Sequence, residues 1–361
     1  KTVTGSGLSW NVSYSGRYAL IPGLVFLALF GWIENVYTDS AVPRHIAFLA
    51  TSYALSMLLG MMIFGKRVWL DNGDAFTILF KRLAGFGFVE IRSTDISLCA
   101  TCQSGCEVSN NQCIDCYSCL SKASAFSVAV RPWAVGLTRI GMPSNAGKYL
   151  IIGILAIISF DGFSETPVWA TVINTTLPWM ATTFPAANDV YFLLMLISTV
   201  GLVSTVISFL VAYQITIHFM SIVADRVASV HDLAQIFIVT LLPIAVAYHL
   251  AHYLSLLAVQ GQLLIPLLSD PLGFGSDLMG TADYNVNIGV VSSKFLWYFS
   301  VVAIVFGHVI AVYLAHMLSI GIFNDRGRAL KSQYPMVVLM IGYTVVSLWI
   351  IAQPITEVRI P

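Results

Sequence analysis

Charged residues are scarce in this sequence. Only 10% of its 361 residues are Asp, Glu, Lys or Arg, whereas a soluble globular domain is usually about 25% charged. The formal net charge is zero, so no basic surplus indicates nucleic-acid binding. Together with 57% hydrophobic residues and a mean hydropathy of +0.82, this scarcity indicates one multi-pass membrane protein rather than several soluble domains.

Several motifs of soluble enzymes are also missing. The sequence contains no recognisable serine triad, phosphate-binding loop or dinucleotide-binding fingerprint, so nothing indicates the enzyme classes that depend on them. Cysteine is missing outside a single short stretch. Because the first residue is Lys1 and not Met, we expect the chain to have lost its natural start.

Long apolar runs, in contrast, are plentiful, and about 20 apolar residues suffice for a helix to cross a bilayer. We place seven spans, at Tyr18–Tyr37, His45–Gly65, Lys148–Phe163, Val190–Ile215, Asp232–Val259, Phe295–Ile322 and Pro335–Ile351. The segment Phe76–Val89 is too short and too basic to span, and we expect it on the membrane surface. The predicted fold is all-α, a polytopic transmembrane helical bundle of about seven spans with a cysteine-rich cytoplasmic metal-binding loop.

Lysine and arginine are unevenly distributed between the loops. If the loop between the second and third spans is cytoplasmic, 15 of the 18 basic residues face the cytoplasm, and only Arg44, Lys294 and Arg359 face the other side. The positive-inside rule then predicts a cytoplasmic N-terminus and cysteine loop in a bacterial inner membrane. We divide the chain into two N-terminal transmembrane helices (1–70), a cytoplasmic amphipathic helix with the cysteine-rich loop (71–147) and a five-helix transmembrane bundle (148–361).

The six cysteines all lie in residues 99–120, which read CATCQSGCEVSNNQCIDCYSCL. Lasting disulfides are rare in a reducing cytoplasm, and two C-x2-C turns bring four thiolates within reach of one ion. We therefore expect zinc or an iron–sulfur cluster, with disulfides or unliganded thiols as the alternative. The CIDCYSC half matches part of an iron–sulfur ligand run, although Leu120 replaces the usual proline. The candidate ligands are Cys99, Cys102, Cys106, Cys113, Cys116 and Cys119.

Ionisable residues inside the predicted spans give a second signal. His249 and His252 lie on one face of the fifth span, and His308 lies in the sixth span at a depth similar to that of His249. Glu34 and Asp161 approach the same outer half of the membrane. Ionisable residues within spans mark functional sites by default, so these five residues are candidate ligands of haem b or another transition metal. Hydrogen bonds that join the helices are the alternative interpretation.

The histidine pattern also makes a specific geometric prediction. We expect His249 and His308 to approach closely enough to share a ligand or a cofactor. His316 lies about two helical turns deeper than His308, so we expect it to be a separate residue of the inner side.

Four stretches of this sequence resemble a known family. They read ISFDGFSETPVW, LLPIAVAYHLAHYLSLL, QGQLLIPLLSDPLGFGSDLMGTADYNVNIGVV and WYFSVVAIVFGHVIAVYLAH, within residues 148–320. They are similar to bacterial multi-pass membrane proteins that are often labelled fenitrothion hydrolase. The resemblance implies an integral membrane protein of this fold, and the label implies organophosphate hydrolysis. We expect the polar loop Gln260–Asn287 to cap the histidine site from outside.

Three functions remain open at this point. We favour a metal- or haem-containing redox subunit of a membrane complex, whose partners are the lipid bilayer and other membrane subunits. The first alternative is a membrane-bound, metal-dependent hydrolase of the organophosphate type, in which a histidine–carboxylate metal activates water. The second is a non-catalytic assembly or transport subunit, in which a zinc loop is a docking surface.

Overall fold

A computed structural model of the chain describes residues 10, 12, 14, 20–93, 95, 97–98, 107–109, 112–139, 145–184, 189–323 and 325–353. The described part is mostly helical. Its α-helices are α1 (Ile21–Asn35), α2 (Pro43–Phe64), α3 (Lys66–Asn72), α4 (Ala75–Leu83), α5 (Tyr117–Leu120), α6 (Asn145–Ser164), α7 (Pro167–Thr183), α8 (Val190–Val223), α9 (Val230–Phe237), α10 (Leu242–Gln260), α11 (Leu264–Ser269), α12 (Ser293–Ile322) and α13 (Arg326–Ala352). This architecture confirms the predicted all-α helical bundle.

Within the described residues, six helical segments are long and apolar enough to cross a membrane. They are Pro43–Phe64, Ala146–Ser164, Val190–Val223, Val230–Ser269, Ser293–Ile322 and Arg326–Ala352. Each corresponds to one of the predicted spans. The remaining predicted span corresponds to α1, which is apolar but has only 15 residues. At 1.5 Å per residue it measures roughly 22 Å, which is less than the hydrocarbon thickness of about 30 Å.

The outer faces of the long helices are apolar. In α2 only Met57 and Gly60 are buried, and α8 exposes Val200, Ile207 and Phe219 along its length. Continuous apolar faces of this extent are unfavourable in water, whereas in hydrocarbon they cost nothing. The chain is therefore a membrane protein whose bundle contacts lipid.

Close helix contacts depend on small residues. In α12, a Cβ added at Gly307 would lie 2.5 Å from the Cβ of Ala247 and 2.8 Å from the carbonyl oxygen of Pro243, both in α10. Because Gly307 has no side chain, α10 and α12 can pack backbone against backbone. This contact fixes the position of the histidines that both helices carry.

Helix α7 was not predicted, although its start has the expected signals. The Thr166 side chain accepts a hydrogen bond from the backbone N–H of Trp169, and Pro167 is the first helical residue. The helix contains five threonines, which interrupt the continuous apolar run by which a membrane-spanning helix is recognised in a sequence. Its hydroxyls donate to carbonyls one turn back, as Thr171 does to Pro167. The Trp169 ring packs against Phe160 of α6 and fills the space beside Gly201 of α8.

The cysteine region contains a small sheet where a loop was expected. Strands β1 (Val89–Ser93), β2 (Glu107–Ser109), β3 (Gln112–Ile114) and β4 (Phe126–Val130) form an antiparallel sheet of order β2-β3-β1-β4. The alternation of apolar and polar residues that predicts a strand is hard to recognise among the polar loops of this region. In addition, β1 and β4 pair although a long segment of the chain separates them. Hydrogen bonds between the backbones of the strands stabilise this sheet, because the region has too few apolar side chains to form a core of its own.

Helix α4, within the segment expected on the membrane surface, packs against the bundle. Its Ile78 is buried and would lie 2.4 Å from a Cβ added at Gly23 of α1. The Asp74 side chain caps the helix by accepting from the backbone N–H of Phe76, and it also accepts from the Tyr53 hydroxyl of α2. The hairpin of α3 and α4 therefore lies between α1 and α2. Contact of α4 with the membrane surface stays a prediction.

Candidate metal centre and carboxylate–imidazole cluster

Three cysteines come together beside the sheet. The sulfur atoms of Cys113, Cys116 and Cys119, which we call the cysteine cluster, all lie within 4.8 Å of one another. Cys113 and Cys119 are buried and Cys116 is partly buried. Cys113 lies on strand β3, Cys116 follows the next turn, and Cys119 lies on α5. Sulfur atoms at this spacing fit around a single metal ion or cluster.

The turn that carries Cys116 is held by Asp115. This residue has a left-handed backbone conformation with φ of 50°, which a short polar side chain tolerates better than most. Its backbone N–H donates to the Ile91 carbonyl at 2.8 Å, and its carboxylate accepts from the Ile91 N–H at 2.8 Å. The turn between Cys113 and Cys116 is thus fastened to strand β1, which fixes the spacing of the two thiols.

A buried guanidinium supports the same turn. Arg131 is only 6% exposed, and its Nη1 donates to the Asp115 carboxylate at 2.6 Å. Its Nε donates to the Gly87 carbonyl at 2.9 Å, and its Nη1 lies 3.7 Å from the fully buried Glu90 carboxylate. A charged, multidentate contact of this kind holds a fixed geometry. Arg131 therefore joins the cysteine turn, the sheet and the connection to α4.

The sheet region is docked against a long helix by aromatic rings. Trp133, just after β4, stacks on Phe306 of α12 with ring centroids 5.6 Å apart, and it contacts Phe86 at 5.0 Å. Phe306 lies two residues before His308. Stacked rings add about 0.5–1.5 kcal/mol to the burial of their surfaces. The cysteine region is thus packed onto the histidine-bearing helix.

The remaining predicted thiol ligands, Cys99, Cys102 and Cys106, lie outside the described residues. Among the residues that are described, Cys113, Cys116 and Cys119 form the sole group of three or more potential ligand side chains within 4.8 Å of one another. Half of the predicted cysteine ligand set is therefore brought together.

A second group of polar side chains lies within the bundle, toward the ends of α1 and α6. His252 of α10 has its Nε2 2.9 Å from the Oδ2 of Asp161 in α6. The Tyr253 hydroxyl lies 2.8 Å from the Oε1 of Glu34 in α1 and 3.0 Å from the same Asp161 oxygen. We call these four residues the carboxylate–imidazole cluster. It joins three helices, and its imidazole and Asp161 side chains are 15% and 21% exposed.

Tyr253 is the member that sequence reasoning missed as a binding partner. The predicted site included Glu34, Asp161 and His252, which the structure does bring together. From the sequence alone Tyr253 is a residue that could line the site, and an interfacial aromatic belt explains it equally well. Its position next to His252 places the hydroxyl between two carboxylates, and only the three-dimensional arrangement reveals this role.

The two other predicted histidines have different partners. The Nδ1 of His249 lies 2.7 Å from the Ala245 carbonyl, and the Nδ1 of His308 lies 2.8 Å from the Ile304 carbonyl. Each bond stays within its own helix. The His308 ring lies 6.0 Å from the ring of Tyr343 in α13, while the His249 ring lies 6.1 Å from that of Tyr253. A ligand or haem shared by His249 and His308 stays a prediction.

His316 lies in another part of α12. Its Nδ1 is 3.1 Å from the side-chain oxygen of Gln333 in α13. This contact is near the end of the bundle where α13 begins, whereas the carboxylate–imidazole cluster is near the end where α6 finishes.

Negative charge prevails around the carboxylate–imidazole cluster. Within the described residues its one ion pair joins His252 to Asp161. A third carboxylate, Glu165, follows α6 directly. Burial raises the pKa of Glu165, the His252 imidazole lowers it, and the Asp161 carboxylate raises it. Glu165 therefore lies close enough to interact with both residues, and carboxylates outnumber imidazoles in this part of the bundle.

Comparisons with known proteins give no relative. No family model matches this chain, and no curated protein or solved structure matches it. The resemblance to bacterial membrane proteins labelled fenitrothion hydrolase therefore stays a prediction. The function is instead inferred from the cysteine cluster and its attachment to a membrane bundle.

Proposed function

We propose that this chain is a redox subunit of a membrane complex, with a metal centre held by the cysteine cluster. The observation that carries the proposal is the approach of Cys113, Cys116 and Cys119 to within 4.8 Å of one another. The charge distribution of the sequence supports a cytoplasmic position for this centre at a bacterial inner membrane. Contact with further membrane subunits belongs to the same proposal.

The donor set fits a thiolate-bound metal. Three sulfur ligands are in place, and a fourth can come from Cys99, Cys102 or Cys106, which belong to the same short segment. When bound, an iron–sulfur cluster would accept and release an electron, whereas zinc would only stabilise the fold. The protein fixes the turn at Asp115 and buries Cys113 and Cys119, and burial excludes water from the ligands.

The attachment of the sheet to the bundle supports a redox role. A purely structural metal could stabilise the sheet region without any contact to the spans. Here Trp133 stacks directly on Phe306 of α12, next to the helix segment that carries His308. Arg131 connects the cysteine turn to backbone carbonyls at Gly87 and Ala84 near that contact. A centre held in this way has a fixed position relative to the membrane.

The test is a metal and spectroscopic analysis of the full chain, purified anaerobically without chelators. We expect stoichiometric iron with labile sulfide and visible absorption that a reductant bleaches. The Cys116→Ser variant should lose the metal and the absorption, while Ser124→Ala, an exposed change in the same region, should retain both. Zinc without iron would overturn the redox role and favour the assembly subunit. The lack of any metal would overturn the metalloprotein itself.

A further inference from the structure

We propose that the carboxylate–imidazole cluster is a second metal site, which binds a divalent ion of the manganese or iron type through Glu34, Asp161 and His252. Carboxylate oxygens and imidazole nitrogen suit such ions, whereas thiolates suit the softer metals expected at the cysteine cluster. The proposal goes beyond the redox subunit and does not depend on it. Four observations support it.

The first observation is charge. Glu34 and Asp161 come from different helices, and the Tyr253 hydroxyl lies between them at 2.8 and 3.0 Å. A hydroxyl has one proton, so it can donate to only one carboxylate at a time. Within the described residues no lysine or arginine pairs with either carboxylate. Two carboxylates at membrane depth carry more negative charge than the single His252 imidazole can balance, and a bound divalent ion supplies the missing charge.

The second observation is ligand spacing. Bonds from a divalent transition metal to carboxylate oxygen and imidazole nitrogen are about 2.0–2.2 Å, so neighbouring ligand atoms on one ion lie about 3 Å apart. His252 Nε2 and Asp161 Oδ2 already have this separation, at 2.9 Å. Glu34 lies further than 4.8 Å from at least one of the other two ligand atoms, since the three do not form a group within that distance. Displacement of the Tyr253 hydroxyl would let the flexible Glu34 side chain complete the site.

The third observation is a buried hydroxyl that has no partner among the described residues. Tyr248 is 1% exposed, and within the part of the chain that the structure describes its hydroxyl makes no hydrogen bond. It points at Gly162, the residue after Asp161, where an added Cβ would lie 2.8 Å from the hydroxyl and 3.6 Å from Cε1 of His252. The Tyr248 and His252 rings are parallel, with centroids 6.2 Å apart. A water that completes the coordination of the ion would satisfy this hydroxyl.

The fourth observation is access. The His252 and Asp161 side chains are 15% and 21% exposed, so an ion can reach them without unfolding the bundle. The pair of His45 and Asp39 offers a useful contrast, because its nitrogen and oxygen are 4.0 Å apart and its side chains are 39% and 56% exposed.

The experiment uses the purified full chain in detergent and manganese(II) alone as the probe. Free manganese(II) gives a solution EPR signal that is lost on binding, so titration yields stoichiometry and affinity. We expect one ion per chain. Glu34→Gln, Asp161→Asn and His252→Gln should each weaken binding by more than about tenfold, because even residues that only support a ligand typically contribute that much. Tyr253→Phe should still bind the ion, since its hydroxyl is displaced.

Two control variants establish that the ion binds at this cluster and not elsewhere on the chain. His45→Gln changes the exposed histidine–carboxylate pair and should leave the affinity unchanged. Cys116→Ser should also leave the manganese(II) affinity unchanged. A failure of the proposed metal centre at the cysteine cluster can then be distinguished from a failure of the proposed site at the carboxylate–imidazole cluster. Helix content by circular dichroism confirms that each variant is folded. The proposal is overturned if the wild type leaves manganese(II) free, if the three ligand variants bind like the wild type, or if His45→Gln weakens binding equally.

Discussion

The two polar sites of this protein are built in opposite ways. The cysteine cluster takes its three thiols from seven consecutive positions, 113–119, through a strand, a turn and a helix. The carboxylate–imidazole cluster joins residues that are 91 and 219 positions apart in the sequence. A local site depends on its own turn and on the side chains that hold it. A distributed site depends on how α1, α6 and α10 pack.

This difference predicts that each site can be damaged by mutation while the other stays intact. A change that disturbs the cysteine turn should leave the helix packing intact, because the bundle has its own apolar core. A change that separates two helices should damage the carboxylate–imidazole cluster and spare the cysteine turn. The following variants test that separation, and each has a matched control.

The largest effect is expected for Arg131→Gln. The change removes the guanidinium that lies between Asp115 and the fully buried Glu90, and removal of one partner of a buried ion pair costs about 3–5 kcal/mol. Hydrogen exchange should increase at residues 112–120 and stay unchanged in α10. The control Arg328→Gln breaks an exposed pair with Asp225 and should cost no more than about 1 kcal/mol. Equal effects of the two variants would contradict a supporting role of Arg131.

The next effect is expected for Gly307→Ala, which tests the packing of α12 against α10. The added methyl group would meet the Ala247 side chain and the Pro243 carbonyl, and overpacking typically costs about 1–3 kcal/mol. We expect the upper end of this range, because a backbone oxygen cannot rotate away. Thermal unfolding in detergent measures the loss. The Gly321→Ala change in the same helix meets no atom of the described residues within 4 Å, so it should be neutral or stabilising. A loss of stability there would refute the steric cause.

A smaller loss is expected for Tyr253→Phe in the metal-free protein. The change removes the hydroxyl between Glu34 and Asp161, and loss of a partly exposed hydrogen bond of this kind costs about 1 kcal/mol. The unfolding midpoint should fall while cysteine-bound metal is retained. In contrast, Tyr298→Phe removes a hydroxyl from an exposed residue and should have little effect. Loss of the cysteine-bound metal in Tyr253→Phe would show that the two sites are not separable.

The smallest effect is local and depends on pH. In the loop after α11, Asp270 accepts hydrogen bonds from the backbone N–H groups of Phe274 and Gly275 and from the Ser276 hydroxyl. The bond from Gly275 is the main cause that lowers the pKa of Asp270. The stabilisation is therefore present above the unfolded pKa of about 3.9 and is lost as the pH falls through the lower folded value.

Limited proteolysis of residues 270–283 across this acidic range measures the order of the loop. Cleavage should increase toward low pH in the wild type, and Asp270→Asn should remove most of that dependence. Cleavage that stays constant with pH in the wild type would contradict the role of Asp270.

The contrast between local and distributed features also explains what the sequence could predict. Long apolar runs indicated the helices that became α2, α6, α8, α10, α12 and α13, because hydropathy is a local property. The C-x2-C spacing indicated the cysteine cluster for the same reason, since one turn sets the distance between Cys113 and Cys116. Side-chain caps add local support, as at Ser292 and Asp325, which accept from backbone N–H groups at the starts of α12 and α13.

Non-local features were predicted less well. The pairing of β1 with β4 and the contact of α7 with α6 depend on segments that meet only in the folded chain. Period-two alternation at Phe126, Val128 and Val130 was the one local signal for β4. The estimate of depth placed Glu34 and Asp161 in the same outer half of the membrane as the histidine site, but depth alone does not determine which helix faces meet. The approach of His249 to His308 stays a prediction, and the His249 ring lies beside that of Tyr253.

The most direct test of the central claim is X-ray absorption at the edge of the metal that copurifies with the wild-type chain. We predict a first shell of sulfur scatterers at about 2.3 Å, the distance for thiolate ligands of zinc and close to that expected for an iron–sulfur cluster. The sulfur shell should disappear in Cys116→Ser. A first shell of only nitrogen and oxygen at about 2.0–2.2 Å, or a chain that copurifies with no metal, would contradict the claim that the cysteine cluster is a metal centre.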